Sequence, residues 1–156
     1  MPGYLLDNNH VQALFHRKPG VIKKISSLPQ DTQIRACTIT LGEIAAGHQM
    51  TRTTDQRRRD EYIAFINGEF RPHALPVSAS TDKYYADIIG RIWQKYPPAN
   101  PKLKTEAHLV SLGIDINDVW AVAVAWEHGL TFVTQDKMEK IREVISEAEV
   151  PFECWI

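Results

Sequence analysis

The run Val119-Trp120-Ala121-Val122-Ala123-Val124-Ala125-Trp126 is apolar at every position. A helix with no polar face must be buried, here against a sheet. Gly129 follows where a helix C-terminus usually places glycine. Around this segment, short apolar strand candidates alternate with longer helical ones, the pattern of an α/β fold with a parallel sheet. At 156 residues the chain has the length of one domain, residues 1–156, with enough apolar side chains (44%) to build a core.

Tyr4-Leu5-Leu6 reads as the first strand, with a helix from about Asn9 to Arg17 and a second from Val21 to Leu28. Ile34 to Ile39 reads as the second strand. Thr40 opens a helix through Ala46, and a polar helix follows from about Thr54 to Asn67. Leu75-Pro76-Val77 is a third, short strand, which Pro76 places at a sheet edge. A helix from Thr81 to Tyr96 carries Tyr84, Ile88, Ile92 and Trp93 at helical spacing. The prolines after it predict a long loop to Gly113 with one helical turn inside it. Thr131 to Thr134 reads as the fourth strand, Lys137 to Ile145 as the last helix and Phe152 to Ile156 as a terminal strand. The expected sheet has four to five parallel strands flanked by helices.

Four acids fall where ligands bind in such folds, at or just past strand C-terminal ends or at the start of the buried helix. Asp7 closes the first strand, Glu43 lies one turn past the second, Asp118 starts the buried helix, and Asp136 closes the fourth strand. Singly, each has a structural reading. Thr40 with Glu43, and Asp136 with Glu139, have capping-box spacing. Asp118 suits a helix N-terminus, and Asp7 suits a turn. Together they read differently. The strands of a parallel sheet bring their C-terminal ends to one rim, where four carboxylates repel unless divalent cations lie between them. Hard Mg²⁺ or Mn²⁺, keeping several waters, suits such a site.

These segments resemble the motifs of the PIN-domain family. Tyr4-Leu5-Leu6-Asp7-Asn8-Asn9 is similar to its opening, Thr40-Leu41-Gly42-Glu43-Ile44 to its second acidic motif, and Asn117-Asp118-Val119-Trp120 to its third. Leu130-Thr131-Phe132-Val133-Thr134-Gln135-Asp136 is similar to the fourth. The order and the flanking elements fit over nearly the whole chain, and the details look most like the VapC group of bacterial toxins. The resemblance implies a PIN-like sandwich and Mg²⁺- or Mn²⁺-dependent cleavage of RNA. It also implies a homodimer and a cognate antitoxin, whose peptide lies in a groove beside the acids and often presents an arginine to them. It assigns the metal site to Asp7, Glu43, Asp118 and Asp136, with Asn9 and Thr134 in support. Asp115 rivals Asp118, but Asp118 has the matching context. Asn8 departs from the family's usual threonine, and the 97–113 stretch is longer than expected. The alternative is a PIN-like module that binds RNA or protein without cleaving. A haloacid dehalogenase phosphatase would need a second aspartate at Asn9, and a receiver domain would need an early acidic pair and a late lysine. Neither pattern is present.

Arg52, Arg57, Arg58 and Arg59, interleaved with Asp55, Asp60 and Glu61, read first as a solvated helix face and second as RNA or antitoxin contacts, which Lys102 and Lys104 extend. With 18 basic and 19 acidic side chains, any nucleic acid must meet a local patch. Cys37 and Cys154 read as buried reduced thiols, and His10 and His16 as surface or interface residues. Trp93, Trp120 and Trp126 read as core, and Trp155 as packing the last strand. No basic leader precedes the first strand, and no apolar run approaches the roughly 20 residues that span a bilayer. The expectation is a cytoplasmic protein.

Overall fold

Four parallel strands occupy the centre in the order β2-β1-β3-β4, where β1 is Gly3–Leu6, β2 Gln33–Arg35, β3 Thr131–Val133 and β4 Phe152–Glu153. Tyr4 pairs with Ile34 on one side and with Thr131 on the other, and Phe132 pairs with Phe152. This is a computed structural model, and it describes residues 3–50 and 55–156. Among the described residues there are eight helices: α1 Asn8–Phe15, α2 Pro19–Ser27, α3 Thr38–Met50, α4 Gln56–Glu69, α5 Asp82–Lys95, α6 Thr105–Ser111, α7 Ile116–Glu127 and α8 Glu139–Val144.

Strand side chains alternate between two faces, and the core divides accordingly. Leu5 and Phe132 point to the side of Ile88, Ile92, Val119 and Ile141 from α5, α7 and α8. Tyr4, Leu6 and Val133 point to the side of Val11, Val21, Leu41 and Ile66 from α1 to α4. The all-apolar helix behaves as its composition demands: Ala121 to Ala125 of α7 are buried without exception. Among the described residues, no single helix is long and apolar enough to cross a membrane.

Several boundaries differ from those read in the sequence. The second strand stops at Arg35, and α3 begins at Thr38, because the Cys37 carbonyl already accepts the Leu41 N–H. Leu75-Pro76-Val77 is reduced to one parallel bridge between Leu75 and Cys37 at the β2 edge. The ladder goes no further because α3 begins at Thr38 and carries the backbone out of the strand. The 97–113 stretch contains α6. The terminal strand is only two residues long, and Cys154 beyond it is exposed rather than buried. Cys37 is buried as expected. Trp93, Trp120 and Trp126 are half-buried at the core margin. Trp120 stacks on Tyr85 at 3.7 Å, Trp126 lies against Tyr84, and Trp93 meets His108 edge-on.

The segment after β4 is clamped onto the β1 side of the sheet. Lys24 of α2 pairs with Glu153 at 3.0 Å, and the Trp155 indole N–H donates to the same carboxylate at 2.7 Å. Trp155 meets the Tyr4 ring edge-on at 5.1 Å. Gly20, in the first turn of α2, permits this close approach, since a β-carbon there would stand 2.3 Å from the Trp155 carbonyl oxygen. Backbone lies on both sides of that contact, so Gly20→Ala is expected to destabilise the protein by about 1–3 kcal/mol. Chemical denaturation measures this, and an unchanged midpoint would show that Trp155 does not dock there.

Candidate active site

Asp7 stands where β1 ends. Its backbone N–H reaches the Val133 carbonyl of β3 at 2.9 Å, which carries the sheet pairing to the rim. The residue then serves as N-cap of α1. The buried carboxylate has a partner on each oxygen: Oδ1 accepts the Asn8 N–H at 2.8 Å, and Oδ2 accepts the Thr134 hydroxyl at 2.8 Å. Thr134 stands at the corresponding position past β3 and is itself buried. Burial nevertheless raises the Asp7 pKa above the usual carboxylate value against these two hydrogen bonds, and the Asp136 and Asp115 carboxylates push it up further.

Three more acids join this field from separate elements. Asp118, in the first turn of α7, has its pKa pushed up to about 7, first by burial and then by the carboxylates of Asp7, Asp115, Asp136 and Glu43. Glu43, one turn into α3, is also raised, by burial and then by Asp7, Asp115 and Asp136, against a side-chain hydrogen bond from Asn117. The charges acting most strongly on Asp118 are all carboxylates. The fold therefore brings Asp7, Glu43, Asp118 and Asp136 into one electrostatic neighbourhood. Asp115 belongs to it as well, as a fifth member rather than a rival.

The capping readings mostly fail. Helix α3 starts before Thr40, so Thr40 and Glu43 form no capping box, and the Thr40 hydroxyl lies 3.5 Å from the Cys37 sulfur. Helix α7 is capped by Asp115, whose carboxylate accepts the Asn117 N–H at 2.8 Å. Helix α8 follows Met138 in a left-handed conformation (φ 44°) without a side-chain cap, so Asp136 caps nothing. Of the four acids only Asp7 caps a helix.

Among the described residues, no three carboxylate, imidazole or thiolate groups approach closely enough to enclose one metal ion directly. The donors are hard oxygens, and their mutual repulsion leaves a divalent cation as the natural counter-charge. A hydrated ion held directly by one or two carboxylates, and by the others through water, fits this looser spacing.

Glu43 opens onto a groove of about 510 Å³ whose walls include Asn8, Phe15, Ile44, Arg58, Arg59 and Tyr62. The Arg58 guanidinium lies 3.1 Å from His16 Nδ1, and Arg59 donates to the His48 carbonyl at 3.0 Å. Arg57 is exposed and paired with Glu61 in the i, i+4 manner of a solvated helix face. Arg52 lies outside the described residues. His16 is exposed, as expected.

His10 is not at the surface but fully buried. Burial holds the imidazole neutral and lowers its pKa to about 4. The available signal was its place on one helical face with Ala13 and Leu14, an apolar stripe that a surface histidine would not share.

A scan against protein-family models finds no match, and neither does a search of curated protein sequences. Solved structures do match over nearly the whole length, and they establish the fold as a PIN-like α/β sandwich. One is VapBC2 from Rickettsia felis, solved bound to a DNA fragment from its promoter: TM-score 0.71, 17% identity, 99% of each chain covered. Another is DNA-bound VapBC from Salmonella typhimurium, at TM-score 0.68 and 15% identity, with each chain covered in full. A third is VapBC-5 from Mycobacterium tuberculosis, a member of the VapBC family of toxin–antitoxin systems, at TM-score 0.53 and 19% identity over 99% of this chain and 98% of that one.

Proposed function

We propose that this chain is a Mg²⁺- or Mn²⁺-dependent endoribonuclease and the toxin component of a type II toxin–antitoxin pair, acting in the cytoplasm as a homodimer. The observation that carries the reading is the gathering of Asp7, Glu43 and Asp118 at the C-terminal rim of a parallel sheet, each with a raised pKa and each raised further by other carboxylates. Such an arrangement is unfavourable unless a cation answers it. The toxin–antitoxin character of structural neighbours supports the biological role.

When bound, the cation would supply a water of lowered pKa and stabilise charge on the phosphate. The chain's own residues prepare the site. Thr134 and the Asn8 N–H hold the Asp7 carboxylate in one orientation, and Asn117 steadies Glu43. No side-chain nucleophile is required. Arg58 and Arg59 line the groove wall, and arginines of this kind would supply its phosphate contacts. The same groove, acidic at Glu43 and apolar at Phe15 and Ile44, suits an antitoxin peptide that sets an arginine toward the acids.

Expression of this chain alone is expected to slow bacterial growth, and Asp7→Asn is expected to relieve the effect. Growth rates at matched levels of folded protein provide the measurement. Normal growth with the wild-type chain would favour the alternative, a module that binds RNA or protein without cutting.

A further inference from the structure

Both ring nitrogens of buried His10 are engaged. Nε2 lies 2.9 Å from the Trp155 backbone nitrogen, and Nδ1 lies 2.7 Å from Asn9 Oδ1. A backbone N–H can only donate, so Nε2 carries the lone pair and the ring proton sits on Nδ1. That proton is donated to Asn9 Oδ1, which also accepts the Gln135 N–H at 3.2 Å. Two donors on Oδ1 turn the amide so that Nδ2 faces the Thr134 hydroxyl oxygen at 3.5 Å. This oxygen accepts the Asp136 N–H at 3.1 Å as well. With those donors on its lone pairs, the single hydroxyl proton goes to Asp7 Oδ2 at 2.8 Å. The hydrogen bonds thus run in one direction, from Trp155 through His10, Asn9 and Thr134 to the carboxylate. They join residues 145 and 127 positions apart in the sequence.

We infer that His10 is a positioning residue that fixes the orientation of the Asp7 carboxylate through Asn9 and Thr134, and so couples the acid site to the seating of the Trp155 segment. The part concerning metal affinity rests on the metal-site reading above; the polarity of the chain does not. The geometry supports positioning over mere packing. An apolar side chain of similar volume would fill the space, but it would leave the Trp155 N–H without an acceptor and Asn9 without one of its two donors. The Asn9 amide would then be held by the Gln135 N–H alone, and its contact with Thr134 would loosen.

The test has two parts. In the wild-type protein labelled with ¹⁵N-histidine, the His10 ring is expected to show a single neutral state protonated on Nδ1. Protonation on Nε2 overturns the inference, and this measurement needs neither a variant nor a metal. The second part compares Mn²⁺ affinity by calorimetry in the wild type, His10→Phe, His10→Gln and Val11→Ala. Val11 is equally buried on the same helix and its side chain has no group that can hydrogen-bond, so it controls for lost stability. His10→Phe is expected to weaken Mn²⁺ binding by roughly 10–100-fold, as loss of an orienting partner does. His10→Gln, which keeps a donor and an acceptor, is expected to recover part of that loss, and Val11→Ala to bind as the wild type does. Folded His10→Phe with wild-type affinity overturns the inference, as does equal weakening in Val11→Ala. If the wild-type protein takes up no Mn²⁺, the metal-site reading fails, and the ring tautomer alone decides the polarity.

Discussion

Asp7→Asn is expected to give a folded protein that cleaves RNA at least about 10²-fold more slowly than the wild type, the scale at which loss of one well-placed electrostatic group is felt. The fold survives for a specific reason. Asp7 is the N-cap of α1, and asparagine caps a helix about as well as aspartate. Its amide oxygen can still accept from Asn8 or Thr134, while the negative charge is gone. The substitution therefore separates the site from the scaffold, which Asp7→Ala would not. The measurement is a single-turnover cleavage assay on structured RNA with Mg²⁺ or Mn²⁺, alongside a circular dichroism spectrum that stays native. Chelation by EDTA should stop the wild-type reaction. Full activity in Asp7→Asn would remove Asp7 from the site, and full activity in Asp118→Asn as well would remove the catalytic assignment.

The second large effect concerns stability and requires no substrate. The Asp118 pKa is raised to about 7 in the folded chain from an ordinary value of 3.8. A group shifted upward stabilises the fold fully below its unfolded value, and this contribution is lost as pH rises through the folded value. The metal-free protein should therefore lose stability between about pH 4 and pH 8 on this account. A shift of three units corresponds to a ceiling of about 4 kcal/mol, and partial exposure of the carboxylate brings the expectation nearer to about 2 kcal/mol. Asp118→Asn removes the penalty. It gives up a favourable charge in the first turn of α7, which is worth about 0.3–1 kcal/mol, so a net gain remains at pH 8. A cation that binds only the folded cluster would stabilise the wild type by about 2.7 kcal/mol at a hundredfold excess over Kd, and the variant less. Melting temperatures at pH 5 and pH 8, with and without Mn²⁺, give the comparison. A lower pH 8 midpoint in Asp118→Asn, together with no metal response in the wild type, would mean that the acids are not a cluster.

The site was legible in the sequence to the extent that each acid sits at a recognisable junction. What could not be seen there was which acids also serve the scaffold. The spacing of Thr40 and Glu43 matches a capping box, yet α3 begins two residues earlier because the Cys37 carbonyl engages Leu41. Asp115 and Asp118 looked like competitors, since local pattern cannot show that one caps α7 and raises Asp7 while the other is itself raised by both.

The sequence by itself determined the parallel α/β class, the burial of α7 and the delivery of four acids to one rim. All three follow from local periodicity and from the common direction of the strands. Only the tertiary structure decided the fate of residues whose partners are remote. His10 is buried because the Trp155 N–H arrives against its ring across the sheet, whereas Cys154, one residue earlier, is turned out to solvent. Leu75 bridges Cys37 at the sheet edge and extends no further, because α3 begins at Thr38. Periodicity reports the face that a side chain prefers. Whether that face meets water, a carboxylate or a distant backbone N–H depends on the order of the strands, which residues adjacent in the chain do not encode.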